Sequence, residues 1–232
     1  MRTNLMTVAG LFAGVSLASG AFAASHSVAI SDGAGQGVQV EIGGPGTSPF
    51  FANAQGNDDS FSEFYAMRFD IGGAISAFDM MYGANNWVVD DVALVLTHAE
   101  TFFSTTGGTG AFYSADDVTD LNSLVYADGI DGSNTLGGVN AAAWTFMAGN
   151  DGASFSYNIN DVNGLFGSIE GGDSLVTMTI EALDGFTAAT YQGIGNFDGG
   201  EPVLIINASE IPAPGSLALL GVAGITAARR RR

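Results

Sequence analysis

Short runs of alternating apolar and polar residues make up most of the chain. In Val38–Ile42 the apolar residues occupy every second position, and Ser174–Ala182 alternates in the same way. A period of two is typical of antiparallel strands with one buried and one wet face. Turns between the runs are supplied by glycine, 34 of 232 residues, with Asn and Asp. The predicted strands are Ser27–Ile30, Val38–Ile42, Ser60–Ile71, Ala77–Tyr82, Val88–Phe103 (with a break), Gly110–Ser114, Leu121–Tyr126, Ala143–Met147, Ser154–Ile159, Ser174–Ala182, Thr187–Tyr191 and Pro202–Asn207.

The pattern predicts a single all-β domain over residues 24–210, folded as an antiparallel β-sandwich. No long linker divides this body, and no repeat of fixed period occurs in it. Helix signals are scarce in the body: Ala141–Met147 has helix-friendly alanines, but Trp, Thr and Phe follow them and favour a strand. Longer apolar segments lie at the two ends of the chain.

The first apolar segment has the three parts of a secretory signal peptide. Arg2 gives a positive start, Leu5–Leu17 is apolar, and Ala21 and Ala23 flank Phe22 in a small-residue cleavage pattern. We expect residues 1–23 to form a signal helix that the export machinery and signal peptidase recognise. Cleavage after Ala23 would leave Ala24 as the first residue of the mature chain.

The second apolar segment lies within residues 211–232 and is followed by a cluster of arginines. It is shorter than the roughly 18 residues that a membrane-spanning helix usually needs, although arginine side chains extend its reach. Arginines beside an apolar helix favour retention on the cytoplasmic side. The alternative is an amphipathic or core helix, but no polar stripe is present. The order is Pro212, Ala213, Pro214, Gly215, then Ser216–Ala228, then Arg229, Arg230, Arg231 and Arg232.

This order resembles the carboxy-terminal sorting segment of bacterial PEP-CTERM proteins. In that family a Pro-Glu-Pro-like box precedes a short hydrophobic helix and an arginine-rich end, and the segment is processed by exosortase-type membrane proteases. Here Ala213 stands where the central Glu usually is. The resemblance implies export, transient insertion in the membrane and display at the cell envelope, the outer surface or the extracellular matrix. Whether the tail is cleaved or kept as an anchor stays open.

The body between these segments is strongly acidic. It contains 24 carboxylates and a single arginine, Arg68, so its net charge is −23 with both histidines neutral. Such a charge repels nucleic acid and excludes it as a partner. Because the chain has no cysteine, disulfides, thiol chemistry and cysteine-bearing zinc sites are excluded as well.

No catalytic motif stands out in the sequence, and we predict that the protein is not an enzyme. A Ser-His-acid triad needs a histidine, and only His26 and His98 are present. We expect His26 to lie in a fraying amino terminus and His98 to be structural. A glycosidase needs two carboxylates, but among 24 acids some pair meets that spacing by chance.

Arg68 and the acidic loops are the candidate ion sites. Arg68 is either a ligand for an anion or sugar acid, or, as we prefer, a partner in a structural ion pair. Structural calcium is the cofactor to consider, since it takes six to eight oxygen ligands; the alternative is ordinary Asx turns. We assign no metal ligand. The candidate loops are Asn57–Asp59, Asp116 and Asp117 with Asp120, and Asp128–Asn134.

The body also resembles DNRLRE-type jelly rolls, which are domains similar to carbohydrate-binding modules in exported bacterial proteins. Phe64–Ile71, Val89–Thr97 and Val203–Asn207 carry the resemblance. It implies a two-sheet jelly roll without enzymatic activity, flanked here by the signal helix and the short C-terminal helix.

We therefore expect a non-catalytic surface or matrix component, with a module that binds extracellular polysaccharide as the alternative. Sugar binding would use an exposed aromatic ring, and Trp87 is the predicted contact because it follows the loop Gly83–Asn86. Tyr82, Tyr113 and Trp144 are further candidates. Burial in the core is the ordinary alternative for all of these rings.

Overall fold

The structure is a computed structural model that describes residues 23–42, 44–45, 50–56, 62–126, 136–196 and 200–212. Ala23, Ala24 and Pro212 fall within it. The remaining residues of the predicted signal and sorting segments lie outside the described residues, namely Ala21, Ala213, Pro214, Gly215, Arg229, Arg230, Arg231 and Arg232. No helix in the described part of the chain has the length and apolar character that a membrane crossing requires.

The described chain is mostly β-strand, as the alternation predicts. The strands in chain order are β1 Ala23–Ala29, β2 Gln36–Glu41, β3 Gly44–Pro45, β4 Phe51–Gln55, β5 Glu63–Asp70, β6 Trp87–Thr97, β7 Gly107–Ser114, β8 Val139–Phe146, β9 Ser154–Ile159, β10 Leu175–Ala182, β11 Ala188–Gln192 and β12 Val203–Glu210. Helix α1 is Gly72–Tyr82, α2 is Leu165–Glu170, and a 3₁₀ turn covers Leu121–Ser123.

Two antiparallel sheets pack face to face. One has the strand order β1-β12-β6-β9 and the other β11-β4-β5-β10-β7-β8, with β2 also paired to β5. The pairings are nested about the β7–β8 pair: β6 pairs with β9, β5 with β10, β4 with β11 and β1 with β12. The first and last strands of the body therefore lie side by side, with Ala23 opposite Ser209.

Strand β5 is buried on both of its faces. Tyr65 and Met67 point into the core between the sheets, whereas Phe64 and Ala66 pack beneath Leu121 in a second apolar cluster. The loop after β7 thus covers the outer face of the second sheet. This double burial explains why the β5 sequence is nearly continuous in apolar residues rather than alternating.

Two predicted strands are wrong. Ala77–Tyr82 belongs to helix α1, where Ala74 and Phe78 are buried four residues apart, the spacing of one helix face. That helix has no side-chain cap and no acidic residue in its first turn, so the usual start signal is missing. Leu121–Tyr126 contains the 3₁₀ turn instead of a strand, and the Asp120 side chain caps it by accepting from the Asn122 amide at 3.0 Å.

Strand β4 and helix α2 were not predicted. The alternation in β4 is hidden because alanines fill its buried positions, Ala52 and Ala54. Helix α2 has six residues, too few for a helical period to show in the sequence. The amino terminus is also more ordered than expected: His26 is paired with Ile206 in β1, so the prediction of fraying there is wrong.

Gly56 is required where β4 ends against the turn before β11. Its amide donates to the Thr187 carbonyl at 2.8 Å, and an added Cβ would lie 1.9 Å from the backbone oxygen of Asp184. We therefore expect Gly56→Ala to lower the free energy of unfolding by about 1–3 kcal/mol, because backbone rather than side chain must move. Urea unfolding checks this; Gly73→Ala, where an added Cβ meets nothing within 4 Å, is the control and should change stability little. Equal effects of the two substitutions would contradict the explanation.

Candidate binding groove

A groove with a volume of about 910 Å³ opens where β2, β4 and the start of β5 meet the loop after β6 and the turn before β11. We call it the Phe groove. None of its described lining residues is basic. They are Glu41, Ile42, Asn53, Gln55, Gly56, Ser62, Glu63, Phe102, Phe103, Thr105, Gly185, Phe186, Thr187 and Ala188.

Exposed phenylalanines form the rim of the Phe groove. Phe102 is fully exposed, Phe186 is 90% exposed and Phe103 38%. The rings of Phe102 and Phe103 meet edge to face, with centroids 5.3 Å apart. Free aromatic faces of this kind are costly to leave in water and are enriched where proteins bind ligands.

The turn that carries Phe186 is held by the Asp184 carboxylate. That carboxylate accepts from the amides of Phe186 at 2.9 Å and Thr187 at 2.8 Å, and from the amide of Gly108 on β7 at 3.0 Å. Burial acts to raise the pKa of Asp184, but these hydrogen bonds outweigh it and the pKa is lowered. Phe186 therefore projects from a fixed turn, although its side chain is exposed.

Two glutamates form the acidic part of the floor. Glu41 of β2 lies directly opposite Glu63 of β5, so the two side chains leave the same side of the sheet. Burial, and next the charge of Glu41, raise the pKa of Glu63 to about 7, against opposing hydrogen bonds from Asn53 and Gln39. Glu63 thus keeps its proton to a higher pH than an ordinary glutamate does.

The amide side chains of Asn53 and Gln55 also line the groove, and Gln39 holds Asn53 in place. Gln39 fixes β2 to β4, since its Nε2 donates to the Asn53 carbonyl at 3.1 Å and its Oε1 accepts from the Asn53 amide at 2.8 Å. The Asn53 Oδ1 atom is buried without a hydrogen-bond partner in the described part of the chain. The Phe groove therefore offers apolar faces at its rim, and carboxylate and amide groups below.

The predicted sugar contact Trp87 is not in this groove. Trp87 is only 4% exposed, its ring packs on Phe78 at 5.1 Å, and its Nε1 donates to Asp79 Oδ1 at 2.8 Å. The expectation of exposure is wrong because the preceding loop is short and β6 begins at Trp87 itself, facing the core. Tyr113 is buried as well, and Trp144 stacks on Tyr157 with centroids 4.0 Å apart.

His98 is buried among aromatic rings, as expected of a structural residue, although its Nδ1 has no hydrogen-bond partner in the described part of the chain. It is 2% exposed, stacks on Phe146 at 4.5 Å, and places Nε2 3.4 Å from the Tyr157 hydroxyl. Burial lowers the pKa of His98, although the nearby Met147 carbonyl and Glu100 partly oppose it. The folded environment therefore favours the neutral form of the ring.

Arg68 has a structural environment, but with different partners from those expected. It is buried, and its Nε donates to Thr177 Oγ1 at 2.9 Å while a terminal nitrogen donates to the Asp116 carbonyl at 3.2 Å. Its charge also contributes to the lowered pKa of Asp116, after the larger effect of hydrogen bonds from Thr119. Arg68 thus joins β5 to β10 and to the loop after β7.

The acidic loop at Asp116 contains Asx turns. Asp116 accepts from the amides of Val118 at 3.1 Å and Thr119 at 2.9 Å. The other two candidate calcium segments, Asn57–Asp59 and Asp128–Asn134, lie outside the described residues. Among the residues that the structure does describe, no group of three or more His, Asp or Glu side chains is arranged to hold a metal ion.

Sequence reasoning missed Phe102, Phe186 and the glutamate pair. A signal for Phe186 was present, because an aromatic residue follows Asp184-Gly185 in a turn sequence. No local signal joins Glu41 to Glu63, since only the strand register brings them together.

Comparison with known proteins gives little further information. No family model and no curated protein matches the sequence. Among solved structures, the chain is similar to a cryo-EM structure of Mud crab tombus-like virus, with 8% identity over 94% of this chain and 96% of that chain and a TM-score of 0.33. A similarity this low carries no argument about function.

Proposed function

We propose that the protein is an exported, non-catalytic β-sandwich of the cell surface or extracellular matrix that binds a polysaccharide chain in the Phe groove. The observation that carries the proposal is the row of exposed phenylalanine rings, Phe102, Phe103 and Phe186, above a floor of amide and carboxylate groups. Saccharide rings present apolar C–H faces and hydroxyl edges, so they match an aromatic rim with polar groups beneath it.

A jelly-roll topology is part of this proposal. It is supported by the nested strand pairs, since winding one long hairpin into two sheets gives that pairing. The Phe groove lies at one end of the sheets, where strand ends meet the loop after β6 and the turn before β11.

Export and sorting through the terminal segments complete the proposal. The two ends of the body emerge side by side: Ala24 pairs with Ala208, and the Ile211 amide donates to the Asn86 carbonyl at 3.0 Å. Both therefore lie at the Trp87 end of β6. The loop bearing Phe102 follows the other end of this strand, roughly 30 Å away by strand rise. An anchor at Ile211–Arg232 would leave the Phe groove facing away from the membrane.

Replacement of the rim ring tests the proposal. The full-length chain, purified in mild detergent, is titrated with a panel of neutral, acidic and amino polysaccharides. We expect saturable binding of at least one of them, and Phe186→Ala should weaken it about 5- to 10-fold through loss of one stacking surface.

Met80→Ala is the matched control, because Met80 is an apolar side chain on α1 that is 84% exposed and lies outside the groove. Binding that both variants weaken equally, or no binding to any member of the panel, would refute the groove as a polysaccharide site. Release of reducing ends during the titration would instead assign a glycosidase.

A further inference from the structure

The Phe groove holds two facing carboxylates, and none of its lining residues in the described part of the chain carries a positive charge. Glu41 and Glu63 are direct cross-strand partners, an arrangement that is unfavourable between like charges. The body has one arginine and no lysine. That arginine, Arg68, is five residues from Glu63 along β5, on the opposite face of the strand, and donates to Thr177 and to the Asp116 carbonyl.

We propose that the natural ligand of the Phe groove is a polysaccharide with free amino groups, and that Glu41 and Glu63 hold one ammonium group between them. The inference rests on the proposed function and names the class of ligand. An ammonium ion supplies the missing positive charge and donates three hydrogen bonds, while the sugar ring contacts the phenylalanine rim.

The alternatives fit the same groove less well. An acidic polysaccharide would bring further negative charge toward two carboxylates on a body with a net charge of −23. A neutral chain would donate hydrogen bonds to the glutamate pair but bring no positive charge to it. A lysine-rich peptide would satisfy the carboxylates, but its flexible side chains make less use of the flat rings of Phe102 and Phe186.

Glu63 gives the proposal a specific signature. The pKa of Glu63 is about 7 in the free protein because of burial and the charge of Glu41. A bound ammonium group would lower this pKa, so binding near neutral pH should release a proton. Glu41 is the charged group that raises the pKa of Glu63. Strand β4 faces Glu63 with the uncharged amides of Asn53 and Gln55. The Asp184 carboxylate already accepts hydrogen bonds from the amides of Gly108, Phe186 and Thr187.

The experiment compares glucosamine oligomers with the same oligomers after N-acetylation, by calorimetry on the full-length chain at about pH 6, where the amines carry charge. We expect the glucosamine oligomers to bind at least about tenfold more tightly, with proton release seen as a dependence of the measured heat on the buffer's ionisation heat. Glu41→Gln and Glu63→Gln should each weaken this binding about tenfold or more, and Glu63→Gln should abolish the proton release.

Glu210→Gln is the control, since Glu210 is an exposed carboxylate outside the Phe groove. Equal binding of both oligomers, unaffected by the groove substitutions, would refute the amino-sugar inference and leave the proposed function standing. Binding of no polysaccharide at all would refute the proposed function itself. Oligolysine that binds in a Glu63-dependent manner while glucosamine oligomers do not would assign a peptide ligand. Weakening of glucosamine binding by Glu210→Gln as large as that by the groove variants would mean general attraction to an acidic surface and overturn the site.

Discussion

Trp87→Ala is expected to lower the free energy of unfolding by about 3–5 kcal/mol, because it removes a buried indole and leaves a cavity against Phe78. It also leaves the Asp79 carboxylate without the indole N–H that it now accepts at 2.8 Å. Chemical denaturation of the full-length chain, followed by circular dichroism, measures the loss. At a temperature where the variant is still folded, polysaccharide binding should be unchanged.

Trp87→Phe separates the two contributions to that loss. Phenylalanine retains much of the apolar volume but not the hydrogen bond, so the expected loss is smaller, about 1–3 kcal/mol. Asp79→Asn keeps an acceptor oxygen and serves as the companion variant. A change below about 1 kcal/mol in Trp87→Ala, together with selective loss of sugar binding, would show that the indole is an exposed ligand contact instead.

Glu63→Gln is expected to stabilise the protein at pH 8 by about 2–3 kcal/mol and to change little at pH 5. The pKa of Glu63 rises from 4.5 to about 7 on folding. Between these values the folded state binds more protons than the unfolded state, so stability falls as pH rises. Glutamine resembles the protonated side chain and does not titrate, so it removes the fall in stability that Glu63 causes as pH rises.

The prediction is measured as the slope of unfolding free energy against pH between about 5 and 8. Glu41→Gln should give a smaller gain at pH 8, because the charge of Glu41 is the second cause of the raised pKa after burial. Asp116 and Asp184 have lowered pKa values, so their contributions are lost only at more acidic pH. An unchanged slope in Glu63→Gln would contradict the burial of this carboxylate.

Much of the sheet content could be predicted because alternation is a local property. Ser154–Ile159 was predicted with the bounds of β9, and Ser174–Ala182 differs from β10 by one residue. Helix α1 was missed because its buried positions, Ala74 and Phe78, are too few to separate a helical period from a strand period in a short apolar segment.

The candidate site could be predicted much less well. The sequence predicted an exposed aromatic contact at Trp87. That ring is buried instead, because its indole N–H finds an acceptor in the Asp79 carboxylate. Phe186 is exposed because the turn at Asp184 is fixed by hydrogen bonds to Gly108 and Thr187. The contact with Thr187 is local, but the contact with Gly108 joins residues 76 positions apart, and no spacing in the sequence encodes it.

The sequence alone determined the β-rich character of the body, its acidity and the absence of cysteine, because each follows from residue type and local periodicity. Only the tertiary structure decided which rings are buried and which carboxylates face each other. Glu41 and Glu63 are unremarkable among 24 acids until the β2–β5 register sets them side by side. Burial and mutual repulsion depend on the distances between strands, so the pKa of Glu63 arises only in the folded protein.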